Sequence, residues 1–417
     1  MDLPVDVRAL LRALEAGGYA AWVVGGCVRD MLMGRTPSDW DVCTDALTGQ
    51  VAACFPGHAV LPTGEKHGTV TVVLHHQPYE VTTFRTEGAY SDGRHPDTVR
   101  FVPGLREDLS RRDFTVNAMA YHPDRGLVDP FGGRADIAAH LVRCVGKPTL
   151  RFGEDALRVL RALRFAAVLG FALDAATADA VRALHPRLAL VAAERLRAEL
   201  DKLLCGPAAP DVLLTYPDAL VSLLPTDAPD WRARVAALAR LPREAALPLR
   251  LAALWAGLPA ARAQETLARL KYDNRTQRRT LTPLAHWGMP LPSQRPALRR
   301  AVRGLGADAV RDLLALRLAF AMGDACAGAA ADEAERAAAL LQELLASGAC
   351  CTRAQLAVRG DDLLVMGVPP GPGVGRALDA LLDEVIEERL PNARGALLAW
   401  LQKTAEKQKS PVRHGGG

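Results

Sequence analysis

Apolar and polar positions along this chain follow two rhythms. Up to about residue 140, short strand-like runs alternate with helix-like ones, the pattern of an α/β unit. Residues 6–16 have helical spacing; AWVV (21–24) then reads as a buried strand, Gly25-Gly26 as a turn and VRDMLMGR as a helix. A strand from Asp39 to Val42 follows, then strands at GTVTVVL (68–74) and YEVTTFR (79–85). The next stretch, TEGAYSDGRHPDT, has few apolar anchors and reads as a mobile loop. From Gly153 the rhythm changes to long Ala/Leu/Arg segments of helical period, from EDALRVLRALRFAAVLGF to ALDALLDEVIEERL. Their spacing does not recur at a fixed length, so the helices form an irregular array and not a solenoid. The pattern predicts an α+β fold, a small mixed sheet with helices followed by an all-α remainder.

Composition narrows the class. The 417 residues are 49% hydrophobic and 24% charged, the profile of a soluble globular protein of two to four structural units. No apolar run approaches the ~20 residues that span a bilayer. The first helix carries acidic residues and lacks the parts of a signal peptide, so a cytoplasmic protein is expected. The net charge of +4 says little about nucleic acid, but Arg clusters locally and offers bidentate donors for phosphates. The eight cysteines are scattered without a CxxC pair, which argues against a zinc site or a disulfide framework.

The candidate chemistry lies in Ser38-Asp39-Trp40-Asp41. On a strand, residues two apart point to one face, so Asp39 and Asp41 project together. Adjacent carboxylates repel unless cations lie between them, and paired Mg²⁺ ions ~3.5–4 Å apart clamp the oxygens of a phosphoryl displacement. A lone DxD reads equally as solvated surface. Upstream, Gly25 and Gly26 form a turn into a helix, where backbone N–H groups and Arg29 suit a triphosphate. A diglycine turn followed by DxD on the next strand is the arrangement of polymerase-β-like nucleotidyltransferases. Such sites usually add a third carboxylate on a neighbouring strand; Glu80 is the candidate, with a water-facing strand Glu as the alternative.

Further motifs carry a more specific resemblance. GGCVRDMLMGRTPSDWDVCTDA, EDLSRRDFTVNAMAY (107–121), DPFGG (129–133), EDALRVLRALRF (154–165), ERLRAELDKLL (194–204) and GDDLLVMGVPPGPGVG (360–375) occur in that order. Together they resemble class II tRNA nucleotidyltransferases, the CCA-adding enzymes and bacterial poly(A) polymerases, over nearly the whole chain. The resemblance implies a polymerase-β-like catalytic head (1–140) and a helical neck with a nucleotide-selecting helix (141–220). An RNA-binding body (221–340) and a tRNA-binding tail (341–402) follow, and 403–417 is expected to be disordered.

It also implies roles. Arg111 and Arg112 suit triphosphate oxygens, and Asp113 and Asn117 the ribose hydroxyls. Read alone, RRD is a surface ion-pair cluster. Asp155, Arg158 and Arg161 recur every three residues and would share one helix face. In the family the EDxxR helix replaces a template strand: a carboxylate accepts from the exocyclic amine of C or A, and a guanidinium donates to their ring acceptors. Read alone, the same spacing is an exposed Asp–Arg pair. Arg94 and Asp97 lie in the loop that CC-only enzymes lack, suited to a hinge or lever. Lys271, Arg275, Arg278 and Arg279 in RLKYDNRTQRR are candidate RNA contacts. No His-Asp dipeptide occurs, so no attached phosphohydrolase activity is expected.

The implied activity is transfer of NMP from CTP and ATP to the 3′-hydroxyl of a tRNA acceptor end, with release of pyrophosphate and two Mg²⁺ ions. An A-adding specialist served by a separate CC-adding enzyme, a poly(A) polymerase and a non-catalytic RNA-binding protein stand as alternatives.

Overall fold

The computed structural model describes residues 2–88, 98–322 and 328–409. The chain divides into two compact units, Met1–Trp231 with Thr266–Tyr272, and Arg232–Glu265 with Asp273–Gly417. The boundaries expected at 140 and 220 fall inside the first unit.

The first unit opens with α1 (Val5–Ala16), β1 (Ala21–Val24), α2 (Gly26–Leu32), β2 (Asp41–Thr44) and α3 (Thr48–Cys54). Then come β3 (Ala59–Gly64), β4 (Thr69–Leu74), β5 (Gln77–Thr83), β6 (Arg85–Glu87), β7 (Val99–Phe101) and α4 (Leu105–Ser110). The hairpin β8 (Ala120–His122) and β9 (Gly126–Val128) precedes α5 (Gly133–Ala138). Seven strands form one sheet in the order β3-β4-β5-β2-β1-β8-β9. The sheet is mixed: β2 runs parallel to β5, while β1 is antiparallel to both β2 and β8. Strand alternation sorts the side chains to two faces. Ala21, Val23, Val42, Val72 and Val81 pack with Leu10 and Leu14 of α1; Trp22, Val24, Cys43 and Phe84 pack with Leu109 of α4.

Three expectations need correction. The second strand begins at Asp41, because its ladder with β1 runs from Val24–Asp41 to Ala21–Thr44; Asp39 lies just ahead of it. The ends of the expected loop are strands, since β6 and β7 pair antiparallel, Arg85 opposite Phe101. Arg94 and Asp97 lie outside the described residues. Finally, a helix spans Arg394–Lys409, past the point where disorder was expected, because KTAEKQK is rich in helix formers.

The neck is helical, with α6 (Pro148–Glu154), α7 (Leu157–Leu169), α8 (Ala175–Leu184) and α9 (Ala193–Leu204). α7 buries Leu160, Leu163 and Ala167, and α9 buries Leu196, Leu200 and Leu203. The second unit has no strand among its described residues. One of its cores gathers Leu298, Val302, Leu314 and Leu341, another Leu363, Leu381, Ile386 and Leu397. The PPGPGVG stretch turns the chain into a helix at Pro372–Ile386, with Gly371 at φ 126°. Among the described residues no helix is long and apolar enough to cross a membrane, and the seven described cysteines are free thiols.

Candidate active site

The head and neck of the first unit enclose a cleft of about 700 Å³. Its lining includes Gly25, Gly26, Arg29, Asp39, Asp41, Arg111, Arg112, Asp113, Asn117, Asp155, Arg158 and Arg161. Residues scattered over more than 130 positions of sequence thus meet in one place. The walls carry nine Arg and Lys side chains against five carboxylates, an excess of positive charge suited to a polyanion.

At the head end, β1 delivers the chain to Gly25, whose φ of 87° is open to glycine at little cost. A Cβ there would lie 3.0 Å from Nη1 of Arg112 and 3.8 Å from Oδ2 of Asp41. The turn is therefore small at Gly25 because the Asp41 carboxylate and an arginine crowd it. Burial pushes the Asp41 carboxyl up to about 6; Arg112 opposes this, while Asp39 and Glu80 add to it. Ser38 Oγ lies 3.2 Å from Oδ1 of Asp39. Among the described residues no group of three His, Cys, Asp or Glu side chains is gathered to hold a metal. Two hard carboxylates with unspent charge nonetheless fit Mg²⁺, which is commonly held by one or two carboxylates together with substrate phosphates.

Glu80 sits opposite Asp41 in the β2–β5 ladder but is exposed and does not line the cleft. It raises the Asp41 carboxyl by its charge.

The arginines of RRD are aimed by a residue the sequence reading passed over. Asp108, fully buried, accepts from Arg111 Nε at 2.9 Å and lies 3.6 Å from Arg112 Nη2. Its spacing of three and four residues from those arginines was the available signal. Asp113 is buried too: burial raises its carboxyl, but Arg161, donating through Nε at 2.8 Å and Nη2 at 2.5 Å, holds it below the usual range. Asn117 reaches Asp113 with Nδ2 at 3.4 Å and accepts from Arg29 Nη1 at 2.7 Å. RRD is thus a connected network in the cleft wall and no loose surface cluster. The DPFGG turn supports it, with Asp129 accepting from the backbone of Gly133 and Arg134, while Asp136 of α5 holds the Thr115 hydroxyl at 2.6 Å.

The EDxxR segment differs in geometry from expectation. α6 stops at Glu154 and α7 starts at Leu157, leaving Asp155 extended at φ −136°, ψ 107°. Its carboxylate accepts from Leu157 N at 3.0 Å, which is why the chain breaks there. Asp155 and Arg158 are 9% and 7% exposed and do not form the surface pair that their spacing alone suggested. Asp155 is gripped by both Nη atoms of Arg195, at 3.3 and 2.6 Å. Arg158 Nη1 donates to Glu154 at 2.6 Å and to the Arg151 carbonyl at 3.0 Å. One turn beyond Arg195 on α9, Glu199 meets Arg161 at 3.2 Å and Arg164 at 2.8 Å. Arg195, Glu199 and Arg164 were not singled out from sequence; they lie within the motifs at 154–165 and 194–204, but their partners are some 35–40 residues away.

The basic stretch does not form a single group. Lys271 Nζ lies 2.6 Å from Glu194 of α9, and Tyr272 donates its hydroxyl to Asp201. Arg279 is paired with the buried Asp312 at 2.9 Å in the second unit. Arg275 and Arg278 are exposed on the helix Asn274–Ala285.

Fold and cleft define a nucleotidyltransferase of the poly(A) polymerase type. The family model of the Poly A polymerase head domain matches residues 21–143, and that of tRNA nucleotidyltransferase domain 2 matches 250–401. A third, "Probable RNA and SrmB- binding site of polymerase A", matches 170–215. The chain is 37% identical over 409 residues to the CCA-adding enzyme of Geobacillus thermodenitrificans, covering 96% of this chain and 97% of that one. It is 38% identical over 404 residues to the CCA-adding enzyme of Geobacillus stearothermophilus, covering 95% and 96%. The crystal structure of the Bacillus stearothermophilus CCA-adding enzyme in complex with CTP superimposes with a TM-score of 0.76 at 34% identity, over 98% of this chain and 99% of that one. The Thermotoga maritima CCA-adding enzyme complexed with tRNA shares the fold at a TM-score of 0.63 and 20% identity, over 96% of each chain. This chain belongs to the CCA-adding family of tRNA nucleotidyltransferases, enzymes that depend on divalent metal ions.

Proposed function

We propose that the protein builds or repairs the CCA end of tRNA in the cytoplasm, transferring CMP and then AMP from CTP and ATP. The observation that carries this is the composition of one cleft: the carboxylates Asp39 and Asp41 from the head, Asp155 and Arg158 from the neck, and seven further arginines among its lining residues. In each step the RNA 3′-oxygen bonds to the α-phosphorus, the bond to the bridging oxygen breaks, and pyrophosphate departs with its electron pair. Two Mg²⁺ ions bound at Asp39 and Asp41 would supply activation of the 3′-oxygen and charge stabilisation on the triphosphate. Arg29, Arg111 and Arg112 orient the phosphates, and Asp113 and Asn117 face the ribose. Asp155, held by Arg195, accepts from the exocyclic amine of C or A, and Arg158 donates to the ring. U and G present the opposite pattern and are refused. Glu80 acts through its charge on Asp41. Residues 1–140 serve as catalytic head, 141–220 as neck, 221–340 as RNA-binding body and 341–402 as tail. Arg275 and Arg278 are the exposed RNA contacts, and Arg94 and Asp97 serve as lever of the loop.

The test uses three tRNA transcripts ending at the discriminator base, at C and at CC, with CTP and ATP supplied separately and together. Stepwise completion of all three to CCA is expected. Addition of a single A only to the CC-ending transcript would make the protein an A-adding specialist, and long A tracts on any RNA would make it a poly(A) polymerase.

A further inference from the structure

α9 carries on one face Arg195, which lines the cleft, and Glu199, which pairs with the cleft arginines Arg161 and Arg164; Lys202 follows at the next turn of that face. Arg195 is spent on Asp155, and Glu199 on Arg161 and Arg164. The other cleft arginines are also engaged. Arg29 pairs with Asp30, Arg111 and Arg112 with Asp108, and Arg158 with Glu154, while Arg85 donates to the His67 carbonyl. Lys202 lines the same cleft, is exposed, and has no carboxylate or carbonyl partner among the described residues. Among the described Arg and Lys side chains of the cleft, it is the one with neither a hydrogen-bond nor an ion-pair partner.

We propose that Lys202 binds a backbone phosphate of the RNA near its 3′ end, a contact that rests on the tRNA reading above. A phosphate oxyanion is the ligand its ammonium suits, and two sources bring one into the cleft: the incoming nucleotide and the RNA. The geometry favours the RNA. The triphosphate is assigned above to Asp39, Asp41 and the glycine turn of the head, whereas Lys202 stands on the neck helix α9. Lys202 stands seven residues beyond the arginine that grips Asp155, about 10 Å further along the helix axis at 1.5 Å per residue. The matched RNA-binding model, residues 170–215, contains all of α9. The RNA would thus be held from the same helix that fixes base selection, so that a seated 3′ end and an aligned Asp155 share one rigid support.

The test compares the wild-type protein with Lys202→Gln and Lys202→Arg, binding a CC-ending tRNA over a range of salt concentrations. Lys202→Gln should weaken RNA binding about fivefold at moderate salt, the scale of one exposed charge-assisted contact. The slope of log affinity against log salt should fall by ~0.7, the loss of one phosphate contact on a single strand, a readout that a structural defect would not move. Lys202→Arg should restore the slope. In steady state, the KM for the tRNA should rise more than the KM for ATP. An unchanged slope, or a KM effect confined to ATP, would overturn the proposal and return Lys202 to solvent or to the triphosphate. If the wild-type protein itself failed to bind tRNA, the functional reading would fall, which the same titration separates from failure of the Lys202 contact.

Discussion

The two ends of the cleft handle charge in opposite ways. On the head side, Asp39 and Asp41 form no ion pair among the described residues; burial, with Asp39 and Glu80 adding and Arg112 opposing, pushes the Asp41 carboxyl up to about 6. Around Asp155 on the neck side the charges are committed to one another, Lys202 apart: Asp155 to Arg195, Arg158 to Glu154, Arg161 to Asp113 and Glu199. The head thus holds a buried carboxylate charge that a bound divalent cation would offset. The neck spends its charge inside the protein so that a few donors and acceptors stand at fixed angles. Catalysis needs charge that is free to bind, whereas base selection needs charge that cannot move, since an unpaired polar group rejects the wrong partner only if it is rigid.

This contrast can be broken in order of expected effect. Asp39→Ala with Asp41→Ala should lower single-turnover incorporation by about a thousandfold or more, because the sites for both cations go together. Retention of near-normal incorporation would move the chemistry elsewhere. Arg195→Ala should lower stability by on the order of 2–3 kcal/mol by leaving the Asp155 carboxylate buried without its partner. It should also raise UTP and GTP incorporation relative to CTP and ATP by roughly tenfold, the loss of about 1.4 kcal/mol of discrimination. Urea unfolding and competition between nucleotides check the two parts. Asp41→Asn, by contrast, should leave the metal-free protein as stable as before or more stable by about 1 kcal/mol, since relief of a buried charge beside Asp39 and Glu80 outweighs the lost attraction to Arg112. A clear loss of stability would mean that the head carboxylates are structural. In the second unit, Arg275→Ala with Arg278→Ala should lower the salt dependence of tRNA binding by about one to two units. The smallest effect belongs to Lys271→Ala, which breaks an exposed pair with Glu194 and should cost about 0–1 kcal/mol of stability.

Much of the head was legible because its chemistry is local. The diglycine turn, DxD and RRD each sit within a few residues, and strand alternation in AWVV sorts Trp22 and Val24 from Ala21 and Val23. The neck was legible only in part. Helical spacing put Asp155, Arg158 and Arg161 on one face, but a carboxylate that bonds the backbone two residues on ends one helix and starts the next. The groups that fix the cluster, Arg195 and Glu199, come from a helix some 40 residues later, and no short-range pattern announces which arginine a buried carboxylate will meet. The same limit made Lys271 look like Arg275 in sequence, although one is tied to α9 and the other is open to solvent.

The most direct test of this division of labour is single-turnover incorporation of each of the four nucleotides on a tRNA ending in CC, by Asp41→Asn and by Asp155→Asn. Asp41→Asn should slow all four nucleotides by a similar factor and keep their ratios. Asp155→Asn should cost far less in rate while the preference for ATP over UTP and GTP collapses. Preserved ratios in Asp155→Asn, or altered ratios in Asp41→Asn, would contradict that division.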